Sequence, residues 1–143
     1  MIDKDKIKAD ILRKRQQILV HSCLYYRFDT NLIEDYQYDR IGKSLAELQI
    51  KYPELSKEVE YKYKAFETFG QDGCYSGYNL PTSDPDVVRK AQRLMDMDRI
   101  EIVKEIKKDC IKRIIDIINK GIINEVNIHN AVRRWTWHRF RRI

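Results

Sequence analysis

"YYRFDTNLIEDYQYDRIGKSLAELQIKYPEL", residues 25–55, is the stretch that decides the fold. Its first fifteen positions, Tyr25 to Asp39, hold four tyrosines and four acidic residues inside a chain whose net charge is positive. A solvated face has no use for so many rings, and a packed core has none for so many carboxylates, so the combination marks a pocket. The remainder carries Ile41, Leu45, Leu48 and Tyr52 at spacings of four, three and four, the single apolar stripe of an amphipathic helix. That helix is expected to start near Asp35, whose carboxylate suits the free amides of a first turn, and to end at Pro53. Upstream, Asp29-Thr30-Asn31 supplies turn chemistry through short polar side chains. Before the turn, Ile7, Ile11, Leu12, Ile18 and Leu19 recur at helical spacing among lysines and arginines, which predicts a first helix from about Asp5 to Phe28. Tyr25 and Tyr26 fall in its last turn, and Tyr38 and Asp39 near the start of the second helix. The two helices therefore read as a hairpin with the acidic, aromatic stretch at its bend.

These residues resemble the N-terminal Ia domain of NAD-dependent DNA ligases. The shared pattern is Tyr25-Tyr26, Asp29, Asp35, Tyr38-Asp39 and Pro53-Glu54-Leu55, in order and at matching spacing, over a segment of about Ile11 to Leu55. Short phage and prophage DNA ligase-like proteins also carry such a segment followed by an LP..DP stretch, similar to Leu80-Pro81 and Asp84-Pro85. The resemblance implies a helical hairpin that recognises the nicotinamide mononucleotide half of NAD. It implies that Tyr25 and Tyr38 clamp the nicotinamide ring, that Asp35 and Asp39 hold the ribose and amide side, and that Tyr26 lies toward the phosphate. The chain departs from the family at Asn31, where proline is usual, at Glu34, where Ser or Pro is usual, and at Tyr26, often a histidine. The chemistry agrees with the resemblance. Oxidised nicotinamide is a flat cationic ring on which tyrosine faces stack for about 0.5–2 kcal/mol each, and carboxylates complement its charge and accept from ribose hydroxyls.

Ligation chemistry is not legible in the chain. The nucleotidyl lysine motif KxDG does not occur, no CxxC pair suggests a ligase zinc site, and 143 residues leave no room for a second catalytic domain. His21, His129 and His138 accompany neither HExxH nor GxSxG, so the chain is expected to be no enzyme and to hold no metal. Cys23, Cys74 and Cys110 are odd in number and widely spaced, which predicts reduced thiols filling the core. With 43% hydrophobic and 35% charged residues and no apolar run near about 18 residues, the sequence points to a soluble, cytoplasmic protein without membrane contact.

Beyond the hairpin, "EVEYKYKAF" over 58–66 alternates apolar and charged residues as a short strand does, and Gly70, Gly73 and Gly77 mark loops without a phosphate-binding fingerprint. Asp84 and Pro85 read as N-cap and first residue of a further helix. That helix is expected to break or bend near "MDMD" (95–98) and to resume with Ile102, Val103, Ile106, Cys110, Ile114 and Ile117 at helical spacing, until Gly121 stops it. A last helix from about residue 124 carries Ile128, Val132 and Trp135. The expected fold is thus mainly α, a ligase-Ia-like hairpin packed against C-terminal helices with a loop-rich middle holding the strand. Its parts are the hairpin over 1–55, a connector over 56–84 and a helical region over 85–143, forming one compact unit.

Arg133, Arg134, Arg139, Arg141 and Arg142 supply five positive charges against a formal net charge of +6, so the basicity is terminal. "RRWTWHRFRR" interleaves them with Trp135, Trp137 and Phe140. Three readings of this tail stand: a solvated helix with Trp135 packed inward, a protein interface, and a nucleic-acid contact through phosphates and bases. The principal function expected is non-catalytic binding of NAD or nicotinamide mononucleotide through Tyr25, Tyr26, Asp35, Tyr38 and Asp39. The alternative is a phage-type interaction protein that inhibits a host defence component, such as a CRISPR protein or nucleoprotein, through Arg133, Arg134, Trp137, Arg139, Arg141 and Arg142.

Overall fold

The structure, a computed structural model, describes residues 3–121 and 133. Five helices follow in order: α1 (Lys4–Phe28), α2 (Asp35–Lys51), α3 (Pro53–Glu58), α4 (Tyr63–Phe66) and α5 (Pro85–Asn119). The protein is mainly α, as the periodicity of its apolar residues predicts.

Local chemistry sets the ends of the hairpin. Asp3 caps α1 by accepting from the Lys6 amide at 3.1 Å. At the other end Asp29 turns left-handed, with φ of 48°, and its amide returns to the Leu24 carbonyl. A short polar side chain tolerates that conformation better than most. The cap of α2 is Glu34, one residue before the expected Asp35, and its amide donates to Gln37 Oε1 at 2.9 Å. Pro53 ends α2 and opens α3, with Tyr52 as the hinge between them.

α1 and α2 pack through Ile11, Ile18, Leu19, Cys23 and Leu24 on one side and Leu45 on the other. Val59, Phe66, Phe69, Leu80, Val87 and Ala91 complete the core. Each large apolar side chain so buried contributes about 1.5–3 kcal/mol. In the middle of the apolar stripe of α1 lies Arg15, with no exposed surface. Its guanidinium donates to Gln49 Oε1 at 3.0 and 2.9 Å, to the Val59 and Tyr61 carbonyls at 2.6 and 3.2 Å, and to the Ser56 carbonyl and hydroxyl at 3.0 and 2.7 Å. It also lies within 6 Å of the Tyr63 and Phe66 rings. Burial lowers its pKa to about 10, so the charge persists at neutral pH.

Several expectations are corrected. The segment 58–66 contains no strand: it ends α3, turns, and forms α4. Lys62 sits at φ of 53°, which interrupts any extended run, and Arg15 binds the Val59 and Tyr61 carbonyls that a strand would offer to a neighbour. α5 runs without a break through 95–98, since methionine and aspartate remove neither a backbone donor nor a helical φ. Asp84 does cap it, accepting from the Asp86 amide at 3.0 Å, and Lys62 pairs with the same carboxylate. Gly121, at φ of 64°, lies just past its end.

The chain divides into two compact units, Met1–Asp98 and Arg99–Ile143. Every described residue of the core belongs to the first. In the second, Ile102, Val103, Ile106 and Ile114 are at least 50% exposed, and Ile117 and Cys110 are exposed too. Of the three cysteines only Cys23 is buried; Cys74 and Cys110 do not fill the core. Among the described residues no helix is long and apolar enough to cross a membrane.

Candidate functional site

A cavity of about 510 Å³ opens where α1 ends, the 29–34 bend passes and α2 begins. Tyr25 and Tyr26 from the last turn of α1, and Asp35, Tyr38 and Asp39 from the first turns of α2, all line it. The hairpin geometry explains the convergence: one helix ends and its antiparallel neighbour starts at the same bend, so both sets of side chains reach the same volume. Asn31, Leu32 and Ile33 of the bend form a further wall.

Tyr38 is the most constrained member. Its hydroxyl lies 2.9 Å from Ser22 Oγ, and Ser22, itself buried, is 2.6 Å from the Ile18 carbonyl. Because Ser22 has one proton and gives it to Ile18, its lone pair accepts from Tyr38. Burial pushes the Tyr38 phenol up to about 12, so it remains a neutral donor at all ordinary pH. Tyr25 and Tyr26 are 55% and 44% exposed, with rings edge to face at 4.9 Å. Asp35 and Asp39 are exposed carboxylates at the cavity wall. His21 also lines the cavity, and burial lowers its pKa below the usual value, which leaves the imidazole neutral at pH 7.

The residues missed by sequence reasoning come from the connector. Gly73, Cys74, Tyr75, Ser76 and Gly77 also line the cavity. Tyr26 holds this loop: its hydroxyl is 3.3 Å from Ser76 Oγ and its ring meets Tyr78 edge to face at 5.7 Å. Gly77 lies flush against the hairpin, where a Cβ would overlap the Ser22 side chain and come within 2.9 Å of the Tyr38 hydroxyl. Tyr75 also packs closely on Gly42, where an added Cβ would meet the Tyr75 Cβ at 2.7 Å. The signal available in the sequence was the run of glycines and small residues at 70–77, which reads as a loop but not as a wall.

The fold and cavity define a class: a helical hairpin domain whose bend forms an aromatic, acidic cavity. Residues 4–58 match the family described as DNA ligase-like, N-terminal NAD+-binding domain. The chain is similar to the DNA ligase of Pseudothermotoga lettingae, 29% identical over 119 residues that cover 73% of this chain and 17% of the ligase. It is 41% identical over 51 residues to the DNA ligase of Fervidobacterium nodosum, covering 36% of this chain and 8% of that one. With the DNA ligase of Thermoanaerobacter pseudethanolicus it shares 44% identity over 48 residues, 34% of this chain and 7% of the ligase. The chain thus spans less than a fifth of the length of these relatives. In the first of them the similarity extends past the hairpin. No solved structure matches the chain significantly.

Arg134, Trp137, Arg139, Arg141 and Arg142 lie outside the described residues, as do His129, His138 and the expected last helix. Arg133 is described as exposed and helical. Among the described residues no group of three His, Cys, Asp or Glu side chains is placed to hold a metal ion.

Proposed function

We propose that the chain binds the nicotinamide mononucleotide moiety of NAD in the hairpin cavity and acts as a binding domain without ligase chemistry of its own. The observation that carries this reading is the meeting of Tyr25, Tyr26, Asp35, Tyr38 and Asp39 around one cavity in a stretch that matches the NAD+-binding family. The residues present fit the group. Tyr25 and Tyr38 offer ring faces to a flat cation at about 0.5–2 kcal/mol each. Asp35 and Asp39 offer acceptors to ribose hydroxyls and the carboxamide, and their charge complements the pyridinium. Tyr26, tied to Ser76 and Tyr78, keeps the loop wall in place. A volume of about 510 Å³ lies within the range typical of small-molecule sites.

Titration calorimetry with NAD, nicotinamide mononucleotide and AMP tests the reading. Heat with the first two and none with AMP is the expected result. Changing Tyr38 and Asp39 together to alanine abolishes that heat while the circular dichroism spectrum stays helical. If neither nicotinamide ligand gives heat or a thermal shift at millimolar concentration, the cavity does not serve this ligand.

A further inference from the structure

The two units of the chain differ sharply in charge. Met1–Asp98 holds sixteen lysines and arginines against seventeen acidic residues, and Arg99–Ile143 holds twelve against five, so the second unit carries more than the whole net charge of +6. A charge divided this way between parts of one chain points to an anionic partner for the basic part. The stretch of α5 in that unit, residues 99–119, adds an apolar surface to the charge. Ile100, Val103, Ile106, Ile111, Ile114 and Ile118 are each at least half exposed, and at 3.6 residues per turn they fall within an arc of about 140°. The acidic residues of the same stretch, Glu101, Glu105, Asp109 and Asp116, fall on the opposite side of the helix. Lys104 and Lys108 border one edge of the apolar arc and Arg113 the other. Lys104 pairs back to Glu101 at 3.5 Å and Arg113 to Asp109 at 2.9 Å, as that arrangement requires.

We infer that residues 99–119 of α5 lie along an anionic phospholipid surface, with the isoleucines toward the acyl chains, the bordering cations at the headgroup phosphates and the acidic side toward water. Each part of the pattern then has a use: apolar side chains bury at the boundary, and lysine and arginine gain from the surface potential. Lys107, which lies on the apolar arc itself, has a four-carbon stem that carries its ammonium out to the headgroups. A nucleic acid would engage the cations and leave the isoleucines in water. A second copy of the chain would cover the isoleucines but bring the bordering cations of both copies together. The sequence of 122–143 adds Trp135, Trp137 and Phe140 among five arginines, a composition suited to the same interface. The sequence expectation of no membrane contact rested on the lack of a spanning run, which has no bearing on a helix lying in the interface plane. The inference stands apart from the nicotinamide reading, which concerns the first unit.

The test is flotation of the full chain with vesicles of phosphatidylglycerol and phosphatidylcholine in equal parts, and with vesicles of phosphatidylcholine alone. Partition into the anionic vesicles is expected to exceed that into the neutral ones about tenfold or more, and to fall about tenfold between about 0.1 and 0.5 M salt. Ile111→Gln with Ile114→Gln removes two exposed apolar side chains while keeping the charge and a good helix former at both positions. Partition of this variant falls about tenfold while its circular dichroism stays helical. Lys104→Gln with Lys108→Gln lowers partition by a similar factor, about tenfold, on anionic vesicles and leaves it unchanged on neutral ones. If the isoleucine variant loses its circular dichroism, the lysine variant decides. No partition of the parent at the lower salt overturns the inference, and so does partition that either folded variant retains in full. Retention of duplex DNA without partition into vesicles assigns the basic unit to nucleic acid and overturns it as well. A stable dimer in light scattering that the isoleucine variant dissolves, again without partition, gives the face to a second copy with the same consequence.

Discussion

Gly77 shows how a single hydrogen atom in place of a methyl group shapes the cavity. Its backbone lies so close to Ser22 and Tyr38 that a Cβ has no room, and both neighbours are fixed, Ser22 by Ile18 and Tyr38 by Ser22. Gly77→Ala must therefore push the loop outward or rotate Tyr38 off Ser22. Overpacking of this kind costs about 1–3 kcal/mol. Urea denaturation of the variant is expected to show that loss, and calorimetry a nicotinamide response well below that of the parent. An unchanged midpoint would mean that the loop does not press on the hairpin as closely as the geometry states.

At the scale of elements, Arg15 is the bolt between α1, α2 and the α3–α4 connection. Its position in the stripe of Ile11 and Ile18 would ordinarily hold an aliphatic side chain, and a guanidinium there must satisfy every donor. It does so on Gln49 of α2, Ser56 of α3 and the carbonyls of Val59 and Tyr61 beyond it. Arg15→Met preserves much of the volume and removes the donors. Each acceptor that water then fails to reach costs about 1–3 kcal/mol, so a loss of several kcal/mol is expected in equilibrium unfolding. Hydrogen exchange should locate the loosening at residues 56–62, because those backbone groups lose their common partner. A variant as stable as the parent would show that this network contributes no net stability, as can happen when a buried charge is replaced by packed apolar atoms.

At the scale of the molecule, the buried residues of the described chain all fall between Ile11 and Ala91, and the whole cavity lies within the first unit. A chain ending at Asp98 is therefore expected to fold cooperatively and to bind the same ligands with the affinity of the full chain. Thermal denaturation followed by circular dichroism, with calorimetry on the same sample, checks both. Loss of cooperative unfolding would show that the first unit needs residues 99–143. Loss of binding alone would show that they contribute to the site.

The hairpin was legible in the sequence because it depends on local rules, and the five ring and carboxylate residues that the ligase resemblance singled out do line one cavity. Apolar spacing identified α1 and α2, Asp29-Thr30-Asn31 identified the bend, helix-end placement brought 25 and 26 toward 38 and 39, and the resemblance added Asp35. The cap at Glu34 and the continuity of α5 were misread by narrow margins, since neighbouring acidic residues compete as caps and a methionine-aspartate run carries no helix breaker. Local pattern failed at Arg15, at the absent strand of 58–66 and at the loop wall of 73–77. At Arg15 and residues 58–66 the deciding interactions join residues more than 40 positions apart: the Arg15 guanidinium claims the Val59 and Tyr61 carbonyls, so alternation that suits a strand becomes turns and a short helix. Gly77 can wall the cavity only because α1 and α2 have already brought Ser22 and Tyr38 together beneath it. Spacing along the chain thus determined which residues face the bend, while packing between distant segments decided how the cavity is closed and which donors remain free inside it.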